Sequence, residues 1–217
     1  MHDQRSRTGT VIGTVIDAAV RAAGCDGIVI LNDGSPEASL LNHWCRRTLG
    51  EARVWSATSA GDSSRDMEAL RYTARTMARE RNALTANPAN KTALLLGIGM
   101  PPEPLLPLGD LYATQIESMA DSWSAPPEVL ELVDNVRKFA RDASNADIKP
   151  ASGIYAVDEA LRAMFEGWRP AQEAVSGLPE PTRGPFLEAV RRGRFWRERA
   201  GLIPKLSTRT IGIDLFA

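Results

Sequence analysis

The spacing of hydrophobic residues changes several times along this chain, and each change predicts an element. Val11, Ile12, Val15, Ile16, Ala19, Val20 and Ala23 recur at helical spacing, so 10–23 reads as an amphipathic helix ended by Gly24. Residues 1–9 are polar and expected to fray. Gly27-Ile28-Val29-Ile30-Leu31 is continuously apolar, the pattern of a strand buried on both faces. Asn32-Asp33-Gly34-Ser35 is a turn, and Pro36 suits the first turn of a helix running to about Thr48, with Ala38, Leu41, Trp44 and Cys45 inward and Gly50 closing it. Arg53 to Ala57 reads as a second strand. After the loop Gly61-Asp62-Ser63-Ser64 comes a helix over 65–81, with Ser64 as its N-cap. Ala83-Leu84-Thr85-Ala86 is a third strand, and the apolar run Ala93 to Leu96 follows it, punctuated by Gly97.

Helix and strand thus alternate through the first half. That order argues for a doubly wound parallel sheet with helices on both faces, an α/β fold. After residue 110 the chain reads as almost wholly helical. Pro107 to Tyr112 opens a helix carrying Leu111, Tyr112, Ile116, Met119, Ala120 and Trp123. Val129, Leu130, Val133, Val136 and Ala140 form a second stripe, and Tyr155, Leu161, Met164, Phe165 and Trp168 a third. Leu187, Val190 and Phe195 mark a last helix before Gly201. Pro126-Pro127 and Gly177-Leu178-Pro179-Glu180-Pro181 separate these stripes. The expected organisation is one domain over 1–217, an α/β core at 10–110 followed by a helical part at 111–217.

Composition narrows the class. The 217 residues are 43% hydrophobic and 24% charged, enough for a full globular core. The formal net charge of -1 gives no general attraction for nucleic acid or an anionic membrane. No apolar run reaches membrane-span length, and no signal-peptide pattern opens the chain. Cys25 and Cys45 lack metal-ligand or redox spacing, so a reduced, cytoplasmic setting is expected. His43, beside Trp44, reads as a packed or surface histidine. The C-terminal segment is basic, with Arg183, Arg191, Arg192, Arg194, Arg197, Arg199, Lys205 and Arg209. It reads either as a solvated helix face diluted by Glu188 and Glu198 or as a phosphate or nucleic-acid surface.

The chemistry concentrates after the third strand, in Asn87-Pro88-Ala89-Asn90-Lys91-Thr92. A polar turn at the C-terminal end of a strand is where open α/β sheets bind ligands. Lys91 is a point charge suited to phosphate, or else a solvated loop lysine. Asp110 is a site residue or a helix N-cap. The turn Asn32 to Ser35 is by its chemistry an ordinary strand-to-helix connection.

Asn90-Lys91-Thr92, Leu94-Leu95-Leu96-Gly97, Pro107-Leu108-Gly109-Asp110-Leu111 and Thr114-Gln115-Ile116 together resemble the ammonia-dependent NAD synthetases of the adenine nucleotide α-hydrolase-like (PP-loop) superfamily. The resemblance covers roughly 20–150. It implies an ATP-dependent amidation of deamido-NAD with ATP and Mg²⁺ as cofactors, a nucleotide or small-molecule ligand, and a homodimer. It implies a site of Asp33, Gly34, Ser35, Asn87, Asn90, Lys91, Thr92 and Asp110, with Glu37 and Lys91 as catalytic candidates and Glu37 as the metal ligand. Departures from the family pattern are local. Gly34 is kept and Glu37 stands at the family aspartate, but Asp33 and Ala38 replace serines and Ser35 replaces a glycine. Ala93 replaces an acidic residue and Ala113 a lysine. A family excursion between Ala57 and Asp66 is missing, and Ser64 to Arg71 resembles a dimer-interface segment of the family. Ile203-Pro204-Lys205-Leu206-Ser207 weakly resembles its site-closing C-terminal segment. These departures imply impaired or lost catalysis. The alternative is a non-catalytic dimeric nucleotide-binding or scaffold protein on the same fold.

Overall fold

The computed structural model describes residues 2–58, 64–98, 103–120 and 153–206. Strands β1 (Gly27–Asn32), β2 (Val54–Thr58) and β3 (Ala83–Ala86) form a parallel sheet in the order β2-β1-β3. Ile28 stands opposite Val54 on one side and Leu84 on the other. Alternate residues of β1 serve opposite faces. Ile28 and Ile30 pack with α1 (His2–Ala22) and α2 (Pro36–Leu49), while Val29 and Leu31 pack with α3 (Ser64–Glu80). Each such burial contributes about 1.5–3 kcal/mol, so β1 is the anchor of both layers. The doubly wound reading holds, and through β3 the strand and helix bounds agree with the hydrophobic pattern to within one or two residues. One end differs: α1 begins at His2 rather than near 10. The stretch before it contains one glycine and no proline, so polar residues extend the helix without an apolar stripe.

Past β3 the sheet continues as single parallel bridges, Ala86 to Leu105 and Leu105 to Leu202. The Leu202 N–H donates to the Pro104 carbonyl at 2.8 Å and the Leu106 N–H to the Leu202 carbonyl at 3.0 Å. Buried Glu103 fixes this edge to the rest. Arg71 Nε and Arg75 Nη2 donate to its Oε1 at 2.8 and 3.1 Å, and Thr85 Oγ1 to its Oε2 at 3.1 Å.

The second half is helical: α4 (Lys91–Leu96), α5 (Ala113–Ala120), α6 (Gly153–Phe165), α7 (Ala171–Ala174) and α8 (Glu180–Glu198). Leu94, Leu95, Tyr112, Leu161, Phe186 and Val190 form its core. Arg197 of α8 donates to the carbonyls of Leu95 and Val190, each at 3.1 Å, and burial lowers its pKa to about 10. Arg183 donates to the Leu178 and Ser176 carbonyls, so part of the basic C-terminal segment caps backbone rather than facing solvent.

Three expectations change. Tyr155 and Trp168, placed inside by the periodic pattern, are exposed. Phe195 is half-exposed, with the Arg199 guanidinium 3.8 Å above its ring. Asp110 does not cap a helix: residues 107–110 form turns, and α5 starts only at Ala113. Residues 59–63 and 99–102, Trp123, Pro126-Pro127, the stripe from Val129 to Ala140 and the tail from Thr210 to Phe216 lie outside the described residues.

Candidate functional site

The order β2-β1-β3 puts the topological switch point between β1 and β3, where the chain leaves in opposite directions and a crevice opens at the strand ends. Two loops meet there. The first, after β1, turns at Gly34 with φ 80, a left-handed conformation that glycine adopts without strain. Its backbone donors are already engaged by side chains. The Gly34 N–H donates to Asn32 Oδ1 at 3.1 Å and the Ser35 N–H to Asp33 Oδ1 at 3.0 Å. Ser35 then caps α2, accepting the Ala38 N–H at 3.2 Å, and Pro36 occupies the first turn. Glu37, half-buried one residue further, has its pKa raised by burial and by nearby Asp33, against the lowering effect of hydrogen bonds.

The second loop follows β3. Asn87 is buried and its Oδ1 accepts the Ala89 N–H at 2.8 Å. Asn90 caps α4 by accepting the Ala93 N–H at 2.8 Å, and its Nδ2 donates to Glu37 Oε1 at 2.9 Å. That last bond joins the two loops across the switch point.

Lys91 is not a solvated loop lysine. Its side chain is 2% exposed, and its Nζ lies 2.8 Å from Glu166 Oε1 and 3.6 Å from Asp110 Oδ1. The Tyr112 ring centroid is 4.8 Å away. Asp110 is fully buried and held from the far end of the chain, accepting the Leu206 N–H at 2.6 Å. Tyr112 also carries Arg162 over its ring at 4.7 Å, and burial pushes its hydroxyl pKa upward.

Thr92 turns to a different partner. Its hydroxyl donates to Asp158 Oδ1 at 2.5 Å and accepts the Ala113 N–H at 2.9 Å. Asp158 Oδ2 accepts the Thr114 N–H at 2.9 Å. Side chains of α4 and α6 therefore satisfy the Ala113 and Thr114 amides at the start of α5, and Gln115 Oε1 locally accepts the Tyr112 N–H at 2.9 Å. Burial raises the Asp158 pKa despite these bonds.

The expected residues are thus brought to one crevice in two pairs, Glu37 with Asn90 and Lys91 with Asp110. Asp33, Gly34 and Ser35 form the loop beside them. His43 is half-buried on α2, where burial lowers its pKa. Glu166, Asp158 and Glu103 were not legible as site or scaffold residues. Glu166 alone gave a signal: an acidic side chain at the C-terminal end of a helix opposes the helix dipole and needs a cationic partner.

Polar loops thus converge at the switch point of a doubly wound sheet, the place where open α/β sheets bind ligands. The chain is 31% identical over 137 residues to the NH(3)-dependent NAD(+) synthetase of Chlorobium phaeovibrioides (strain DSM 265 / 1930), covering 60% of this chain and 48% of that protein. It is 30% identical over 138 residues to the enzyme of the same name from Chlorobaculum parvum (strain DSM 263 / NCIMB 8327), with the same coverage of 60% and 48%. The chain spans about half the length of the curated relatives it matches. An NH3-dependent NAD synthetase from Campylobacter jejuni, solved with nitrate, superposes with a TM-score of 0.65 at 14% identity, covering 92% of this chain and 99% of that one, and so shares its fold. No protein-family model matches. Over 60% of its length the chain is thus similar in sequence to NH3-dependent NAD synthetases, and it shares their fold. No helix among the described residues is long and apolar enough to cross a membrane.

Proposed function

We propose that this NAD-synthetase-like chain has kept the fold but lost the ATP-dependent amidation of deamido-NAD. The reading rests on one observation: the loop after β1 is filled by its own acceptors. The amides of Gly34 and Ser35 donate to Asn32 and Asp33, and that of Ala38 to Ser35. A pyrophosphate laid on this loop would have to break those bonds and meet the Asp33 carboxylate. Two like charges about 4 Å apart repel by about 1 kcal/mol in water and several times more in a partly buried crevice.

The donors also fit Mg²⁺ poorly. A hard cation needs several oxygen ligands. Glu37 offers one carboxylate, which burial keeps towards its neutral form and which already accepts from Asn90. Ala93 supplies no oxygen, and no group of three or more His, Cys, Asp or Glu among the described residues is placed to hold a metal ion. No step is therefore assigned to a metal. What remains is an acidic crevice with a single buried lysine.

Two assays test this. Amidation of deamido-NAD with ATP, Mg²⁺ and ammonia should be undetectable, and turnover near ~1 s⁻¹, within the ordinary enzyme range, overturns the reading. Titration calorimetry with Mg·ATP should show weak binding that strengthens in Asp33→Ser. Unchanged affinity in that variant would remove Asp33 as the cause. Adding Ala93→Glu and Ala113→Lys to Asp33→Ser should raise affinity further if side chains alone are responsible.

A further inference from the structure

We propose that Glu166 is a built-in occupant of an oxyanion position at Lys91, an autoinhibitory carboxylate that an incoming phosphoryl or carboxylate group must displace. The inference rests on the reading above in one respect, that this crevice is an anion site now filled from within.

Lys91 has two carboxylate partners of unlike standing. Asp110 is 0% exposed and is fixed by the Leu206 N–H at 2.6 Å, so it stays with the scaffold. Glu166 is 28% exposed and makes the shorter contact, 2.8 Å against 3.6 Å. Of the two carboxylates on the ammonium, it is the one with a solvent-exposed part.

Its place in the chain suits release. Glu166 follows the last residue of α6, and its N–H still donates to the Arg162 carbonyl at 2.9 Å. Exposed Gly167 comes next, then Trp168 at φ 53. The side chain can swing to solvent by rotamer change without disturbing α6. Nothing in helix stability holds the carboxylate there, because a negative charge at a helix C-terminus opposes the dipole. The ion pair with Lys91 holds it in, with the buried Tyr112 side chain beside it.

Charge makes the displacement a like-for-like exchange. Among the described residues, the charged groups around this point are Lys91 and Arg162 against Asp110, Glu166 and Asp158. With Glu166 in place, one more anion adds to an excess of negative charge. With Glu166 withdrawn, Lys91 gains room for one oxyanion, and the count is restored by the ligand.

The test is binding of inorganic pyrophosphate and of acetate, measured by calorimetry and ligand-detected NMR on the full chain. Glu166→Gln keeps the shape and removes the charge, and Glu166→Ala empties the position. Either should bind at least one probe about 10-fold more tightly than wild type, and adding Lys91→Met should abolish the gain. A gain for pyrophosphate alone assigns a phosphoryl ligand, and a gain for acetate alone a carboxylate. Affinity equal to wild type in Glu166→Gln, or a gain that survives Lys91→Met, overturns the proposal. Asp33→Ser separates the two readings. If it improves Mg·ATP binding while Glu166→Gln changes nothing, the latch fails and the loop argument stands. The reverse result supports the latch and removes the loop argument.

Discussion

A Cβ built on Gly193 would lie 2.1 Å from the Leu95 carbonyl oxygen. The clash is with backbone, and Gly97, at the C-terminus of α4, lies against the same stretch of α8. The two helices can meet only because glycine stands there, and Arg197 then reaches the Leu95 carbonyl. Gly193→Ala should destabilise the protein by about 3 kcal/mol, the upper range for overpacking. Chemical denaturation should show a lower midpoint with an unchanged slope. A midpoint within error of wild type would mean that α4 and α8 separate freely.

Asp158 offers a second prediction. It accepts from Thr92 and from the Thr114 amide, and it is 1% exposed. Asp158→Ala removes the acceptor for both, at about 1–3 kcal/mol for each group left unsatisfied. A loss of about 3 kcal/mol is expected, with hydrogen exchange rising first at Thr114. Asp158→Asn retains an acceptor for the amide and should lose less. Equal losses in the two variants would argue that the charge, not the hydrogen bond, holds α5.

The third prediction concerns pH. Glu37 has a folded-state pKa raised above 4.5, chiefly by burial. A carboxyl shifted upward binds more protons folded than unfolded, so stability falls as pH rises from the unfolded value through the folded one. Glu37→Gln still offers an oxygen to Asn90 Nδ2 but carries no charge. Its Tm should exceed that of wild type at pH 8, and the two should converge near pH 4. Scanning calorimetry across that range checks the sign. A variant less stable than wild type at pH 8 would mean that Asn90 and the loop amides stabilise the ionised carboxylate.

Much of the fold is legible in local pattern. The unbroken run Ile28 to Leu31 marks the central strand because a strand covered on both faces has no polar alternation to show. Gly50 and Gly97 mark helix ends because their backbones turn left-handed there. The motif residues Lys91 and Asp110 lie 3.6 Å apart, a pairing that no spacing between them announces. The misreadings share a cause. Asp110 looks like a cap, yet the start of α5 is fixed by Gln115 locally and by Thr92 and Asp158 from other helices. Glu103 sits in a proline-rich loop without periodicity, and its role depends on Arg71, Arg75 and Thr85. Tyr155 and Trp168 fit a helical period but are exposed, and Trp168 lies past the end of α6 at Phe165. Long-range partners, unlike periodicity, leave no trace near the residue they decide.

The bond from Leu206 to Asp110 also has a place in time. The partners lie 96 positions apart. At a synthesis rate of roughly 5–20 residues per second, that separation is about 5–20 s on the ribosome. The strand donors β1, β2 and β3 emerge well before it, so the sheet can assemble while the crevice behind it still lacks its last amide. The order of emergence therefore makes Asp110 wait for this amide until residue 206 has been made.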